Sequence, residues 1–135
     1  MAVLPIAVPM PPQRSLRVLV VDDDPIQQRI AARLLRELGH SGALAGNGER
    51  ALQILQQQPF DALLLDLNMP VLDGMATLAT LRAQATEARA HPPVILVSGD
   101  DLAADWDYYR AAGATSYLQK PLDIRAVSDR LQRLG

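Results

Sequence analysis

Six side chains able to do chemistry stand just behind short apolar runs in this 135-residue chain. Asp22, Asp23 and Asp24 follow RVLVV (17–21), and Asp66 follows DALLL (61–65). Ser98 follows PVILV (93–97), and Lys120 comes after TSYL (115–118) and one glutamine. Acids gathered at one place cannot all stay bare. Two carboxylates about 4 Å apart repel by roughly 4 kcal/mol at an effective dielectric near 20, so one must hold a proton or share a cation. Hard oxygen ligands without imidazole or thiolate suit Mg2+, which keeps waters and accepts phosphate oxygens. A carboxylate beside Mg2+ can attack phosphorus and become an aspartyl phosphate. An ammonium such as Lys120 would neutralise the transferred group, and a hydroxyl such as Ser98 would donate to one of its oxygens. The set has the chemistry of a phosphoryl-transfer site.

For these residues to meet, the apolar runs must lie side by side with their ends aligned. Between the runs the apolar spacing turns helical. Ile26, Ile30, Leu34 and Leu38 recur every four residues up to a stop at Gly39, with Asp24 as N-cap and Pro25 in the first turn. A weaker strand around 43–45 precedes a helix carrying Ala51, Leu52 and Leu55. A third helix carries Met75, Leu78 and Leu81, a fourth spans about 102–112, and a last one carries Ile124, Val127, Leu131 and Leu134. Five strands alternating with five helices predict an α/β fold, a doubly wound parallel sheet covered on both faces. Right-handed crossovers leave few strand orders. Ligands of such sheets bind beyond the carboxyl ends of the strands, where the six residues fall.

Composition narrows the choices further. Hydrophobic residues make up 49% of the chain and the formal charge is −2, which suits one domain and opposes binding to a phosphate backbone. With no cysteine, disulfide frameworks, thiolate zinc sites and cysteine nucleophiles drop out. The first fifteen residues hold four prolines and read as a tail or linker remnant, too short and broken to span a bilayer.

Four segments, LVVDDDP (19–25), LLLDLNMPVLDG (63–74), VILVSGD (94–100) and GATSYLQKP (113–121), lie in order at matching spacing. With them the chain, over residues 16–135, resembles the receiver domain of bacterial two-component response regulators of the chemotaxis-regulator type. The resemblance implies a flavodoxin-like sheet of order 2-1-3-4-5. It implies Asp66 as phosphoacceptor and a Mg2+ site formed by Asp22, Asp23, Asp66 and the main-chain carbonyl of Asn68. Lys120 would be the phosphate partner, Ser98 and Tyr117 the switch residues, and Lys120–Pro121 a cis peptide. The implied donor is a sensor histidine kinase or phosphotransfer protein. The output would pass from the surface of the fourth helix, fifth strand and last helix to a downstream protein. Expected with it are a cytoplasmic location, a monomer or weak dimer, no membrane contact and no direct nucleic-acid binding. The only catalysis implied is the domain's own phosphorylation and slow dephosphorylation.

Asp22-x-Asp24 also imitates the nucleophile motif of haloacid-dehalogenase phosphatases. That reading needs a further acidic pair after Lys120 and leaves Asp66 unexplained. Among the remaining residues, Asp24 reads as a helix cap and Asp73–Gly74 as a turn and helix start. His40 and His91 both read as exposed. Tyr109 reads as core-facing with Leu102 and Ala112, while Trp106 fits either the partner-facing surface or a half-buried packing role.

Overall fold

The computed structural model describes residues 14–69, 72–86 and 89–134. The N-terminal tail assigned from sequence therefore lies, up to residue 13, outside the described residues. Each apolar run forms a strand: β1 (Arg17–Val21), β2 (Ser41–Ala45), β3 (Ala62–Asp66), β4 (Val94–Ser98) and β5 (Ser116–Gln119). Between and after them come α1 (Pro25–Glu37), α2 (Gly48–Gln57), α3 (Gly74–Gln84), α4 (Trp106–Ala111) and α5 (Ile124–Gln132). All four strand pairings are parallel, in the order β2-β1-β3-β4-β5. That is the flavodoxin-like order the resemblance implies.

Successive residues of a strand point to opposite faces, so a continuous apolar run feeds two cores. Leu19, Val21, Leu63, Leu65, Val94 and Leu96 pack with Ala51 and Ile54 of α2 and Leu78 and Leu81 of α3. Val18, Val20, Leu64, Ile95 and Val97 pack on the other face with Ala31 and Leu35 of α1 and Val127 and Leu131 of α5. Burying each such aliphatic side chain contributes about 1.5–3 kcal/mol, which makes β1, β3 and β4 the rigid centre of the domain. Side-chain caps set where the helices begin. Asp24, Asn47, Asp73 and Asp123 each accept a main-chain N–H of the first turn of α1, α2, α3 and α5. Gly39, at φ +84°, ends the turn after α1 in a conformation that side chains with a β-carbon resist.

Four sequence expectations need correction. The apolar row on α1 does not all face the sheet: Ala31 and Leu35 are the buried residues, while Ile26 is 66% and Ile30 37% exposed. Four residues turn a helix by about 400°, so a four-residue spacing drifts about 40° per step, and only Leu34 and Leu38 reach the core. The fourth helix is shorter than 102–112, because a 3-10 turn (Ala103–Asp105) replaces its first part. His40 is buried rather than exposed; its Nδ1 accepts the Leu16 N–H at 3.0 Å. Burial holds its pKa below the ordinary histidine value. His91 is half-buried, with Nδ1 2.8 Å from the Pro92 carbonyl oxygen.

Candidate functional site

Parallel register brings the strand ends together. Val21 pairs with Leu65, Asp66 with Val97, and Ser98 with Gln119, so Asp22, Asp66, Ser98 and Lys120 share one edge of the sheet. Asp66 and Ser98 are the last residues of β3 and β4, so each strand runs one position beyond the end read from sequence, and both residues are buried. Strand hydrogen bonding thus fixes their main chains before any side-chain contact is made.

Asp22 is buried and held from three directions. Its N–H donates to the Ala45 carbonyl at 3.1 Å, its carbonyl accepts from Gln28 Nε2 at 2.7 Å, and its Oδ1 accepts from Asp24 N at 2.9 Å. Its Oδ2 lies 3.4 Å from Lys120 Nζ. Lys120 Nζ is also 3.4 Å from Asp66 Oδ1, which in turn accepts the Asn68 N–H at 3.3 Å. One ammonium therefore bridges two buried carboxylates. The main chain of Lys120 is fixed by its own N–H, which donates to the Ser98 carbonyl at 2.7 Å, and the Lys120–Pro121 peptide is cis.

One lysine cannot neutralise two acids at once. Burial, with the Asp22 charge adding to it, pushes the Asp66 carboxyl above the ordinary aspartate value, although the Asn68 N–H and Lys120 pull the other way. For Lys120 burial works against the charge, but Asp66 and Asp22 outweigh it and raise its pKa. The pocket carries more negative charge than its lysine satisfies.

That excess bears on the metal question. Carboxylate oxygens of Asp22, Asp23 and Asp66 all lie within 4.8 Å of one another, with Asp23 exposed and the other two buried. Three hard oxygen donors, one of them open to water, fit a Mg2+ ion that keeps part of its hydration shell. The donor set is compatible with the ion the sequence implies.

The remaining candidates are distributed around this cluster. Ser98 presents its hydroxyl oxygen to the Asp100 N–H at 3.0 Å, and among the described residues no acceptor takes its own proton. Gly99 is exposed, and a β-carbon there would meet nothing within 4 Å. Asn68 is exposed beside Asp66. Tyr117 stands apart: it is half-buried, and its ring packs against Trp106 with centroids 5.1 Å apart. Trp106 itself takes the half-buried packing role. Tyr109, Leu102 and Ala112 share one core as their spacing predicts, while Tyr108 is 65% exposed. Sequence reasoning missed Gln28, six residues from the Asp22 carbonyl that it holds; nothing in the local pattern marks it.

A doubly wound α/β domain of strand order 2-1-3-4-5, with acids and a lysine gathered at its carboxyl edge, is shared with a known class of signalling domain. The chain belongs to the response regulator receiver domain family, whose pattern matches residues 18–132. It is 39% identical over 127 residues to the gliding motility regulatory protein of Myxococcus xanthus, covering 92% of this chain and 16% of that protein. It is 34% identical over 114 residues to the two-component response regulator ORR41 of rice, Oryza sativa, covering 82% of this chain and 87% of that one. Other relatives are much longer: the chain spans 17% of the sensory/regulatory protein RpfC of Xanthomonas campestris, at 31% identity.

Among solved structures, the chemotaxis protein CheY4 of Vibrio cholerae superposes with a TM-score of 0.80 at 27% identity, covering 90% of this chain and all of that one. The receiver domain of the sensor histidine kinase PA1611 of Pseudomonas aeruginosa gives 0.76 at 32% identity, covering 90% and 98%. That structure holds a magnesium ion coordinated in its active-site cleft. Receiver domains are signalling domains of two-component systems, working with histidine kinases and downstream effectors. No helix among the described residues is long and apolar enough to cross a membrane.

Proposed function

We propose that this domain takes a phosphoryl group onto Asp66 in a Mg2+-dependent reaction. The donor is the phosphohistidine of a sensor histidine kinase or phosphotransfer protein. The observation that carries the reading is the Asp66 carboxylate, buried at the end of β3 yet within 3.4 Å of Lys120 Nζ and within reach of the Asp22 and Asp23 carboxylates. Asp66 supplies the attacking oxygen; an O–P bond forms, the donor's N–P bond breaks, and the imidazole leaves with a proton. Asp22, Asp23, Asp66 and the Asn68 carbonyl are the residues that would hold Mg2+, which when bound offsets the acids and receives phosphoryl oxygens. Lys120 follows the added charge, exchanging its pairing with Asp66 for a phosphoryl oxygen.

Ser98 donates its free hydroxyl proton to another phosphoryl oxygen. Drawing Ser98 inward loosens the β4–α4 connection, and Tyr117 rotates off Trp106 toward the space this opens. The surface of α4, β5 and α5 then presents a second state to a downstream protein. The domain turns over only its own phosphoryl group, makes no direct contact with nucleic acid or membrane, and works in the cytoplasm as a monomer or weak dimer.

The deciding measurement is intact mass after incubation with acetyl phosphate, with and without Mg2+, beside the Asp66→Asn variant. A single phosphoryl adduct that needs both Mg2+ and Asp66 is expected. An adduct of equal stoichiometry on Asp66→Asn would overturn the assignment.

A further inference from the structure

At the end of the sheet opposite the acids, a cleft of about 550 Å³ opens between the C-terminal ends of α2 and α3 and the connections that lead into β3 and β4. Its apolar walls are Leu52, Leu55, Phe60, Leu81 and Pro92. The volume falls within the roughly 300–1,000 Å³ of pockets that take a small ligand, enough to seat several aliphatic side chains of a longer segment. We propose that this cleft is the docking site of the chain's own N-terminal segment, residues 2–10 (AVLPIAVPM).

Three observations converge on that occupant. The first is where the described chain begins. Arg14 pairs with Asp61 Oδ1 at 2.5 Å, and the Arg17 N–H donates to Asp61 Oδ2 at 2.8 Å. Asp61 directly follows Phe60 of the cleft wall, and the Arg17 guanidinium lies 4.9 Å over the Phe60 ring. Arg17 also donates to Gln58, another lining residue. The chain is therefore tied to the rim of the cleft where residue 13 meets residue 14.

The second observation is the composition of what precedes. No charged side chain occurs before Arg14, and residues 2–10 are seven aliphatic or Met residues and two prolines. The third is the spacing of those prolines, at 5, 9, 11 and 12. Proline-rich stretches favour the polyproline II form, at about 3.1 Å per residue, so a segment anchored beside Phe60 has ample reach. Such segments lose little conformational freedom on entering an apolar groove. Leu52, Leu55 and Phe60 are only partly buried as they stand, and the segment would complete their burial.

Because the chain has no cysteine, Ala2→Cys gives a single attachment site for a nitroxide on the otherwise intact chain. With methyl-labelled protein, docking predicts that the Leu52, Leu55 and Leu81 methyl signals lose more than half their intensity. Those of Ile30 and Leu131, on the other face, keep theirs. In the variant that also carries Ile6→Asp and Val8→Asp, which puts two charges into the apolar segment, the selective loss disappears. Weak, even attenuation over both faces overturns the proposal. So does attenuation that arises only when spin-labelled and methyl-labelled chains are mixed, since the occupant would then be the segment of a second copy.

Discussion

Gly74 lies so close to the main chain of Asp66 that a β-carbon at position 74 would sit 2.4 Å from the Asp66 carbonyl oxygen and 2.8 Å from the Leu67 α-carbon. The Gly74 N–H also donates to the Leu67 carbonyl at 3.2 Å, and Asp73 caps the helix that starts there. The end of β3 and the start of α3 are thus pressed together backbone to backbone, directly behind the Asp66 carboxylate.

Adding one methyl group at this contact should force the two backbones apart. Gly74→Ala is expected to destabilise the domain by about 1–3 kcal/mol, the usual cost of overpacking, read as a lower urea midpoint. Gly99→Ala is the control, because its β-carbon meets open space; a change within about 0.5 kcal/mol is expected there. Equal effects at the two positions would contradict the close-approach account.

Asp66 should cost the folded state stability when ionised. Its carboxyl is pushed above the ordinary aspartate value by burial and by Asp22, so the folded state binds that proton more tightly than the unfolded state does. The penalty is present above the raised pKa and relieved as pH falls through it. Asp66→Asn carries no charge to bury and is expected to unfold about 2–6 °C higher at pH 7, the shift that roughly 1 kcal/mol produces. Thermal melts from pH 7 down to 4 should show the gap between the two proteins closing. A variant that melts lower at pH 7 would refute the electrostatic description.

The positions of Asp22, Asp66 and Ser98 were legible in the sequence because each closes or follows a run apolar enough to be a central strand, and parallel strands end together, which brings Lys120 at the end of the edge strand β5 to the same place. What escaped has a physical reason in each case. His40 follows a helix stop, where exposure is the ordinary outcome; its partner, the Leu16 N–H, is 24 residues away and leaves no local trace. The four-residue row on α1 drifts around the helix by about 40° per step, which leaves Ile26 and Ile30 outside. The start of the fourth helix was overrun because Leu102, buried in the core, has the right phase, yet the segment after it takes a tighter 3-10 turn. Asp73–Gly74 does start a helix as its residue types predict, but Gly74 is needed for backbone contact as well. That requirement involves residues packed in space, and no periodicity announces it.

His40 makes stability depend on mildly acidic pH. Burial lowers its folded-state pKa, and protonating Nδ1 would also replace the acceptor that the Leu16 N–H requires. The contribution is therefore intact above the unfolded value of about 6.5 and is lost as pH falls toward the lowered folded pKa, with a slope of at most about 1.4 kcal/mol per pH unit. His40→Asn keeps an acceptor near the same place and removes the titration, so its urea midpoint should flatten between pH 6.5 and 5 relative to the unsubstituted chain. His40→Ala leaves the Leu16 N–H without a partner and is expected to cost about 1–3 kcal/mol at pH 7.5. Parallel pH profiles for all three proteins would remove His40 from the account.

Lys120 is shared by Asp22 and Asp66, at 3.4 Å from each, and removing it should expose how much the acids need a cation. Breaking a fully buried pair costs about 3–5 kcal/mol, but the Lys120 side chain is 23% exposed, so Lys120→Met is expected to lose about 1–2 kcal/mol in Mg2+-free buffer. A cation that binds only the folded state stabilises by mass action, about 1.4 kcal/mol at ten times its dissociation constant. Mg2+ should therefore raise the melting temperature of the unsubstituted chain and raise that of Lys120→Met further, because more negative charge awaits it there. Asp23→Ala removes the exposed donor of the set and should abolish most of the Mg2+ response in both backgrounds, while a chelator returns each protein to its metal-free value. Phosphoryl uptake separates the two kinds of cation: with Mg2+ saturating, Lys120→Met should still be slower by about 10²-fold, the loss typical of removing one fixed donor to developing charge. Uptake at the unsubstituted rate would mean that the divalent ion alone handles the transferred charge and that Lys120 serves only to hold the empty pocket together.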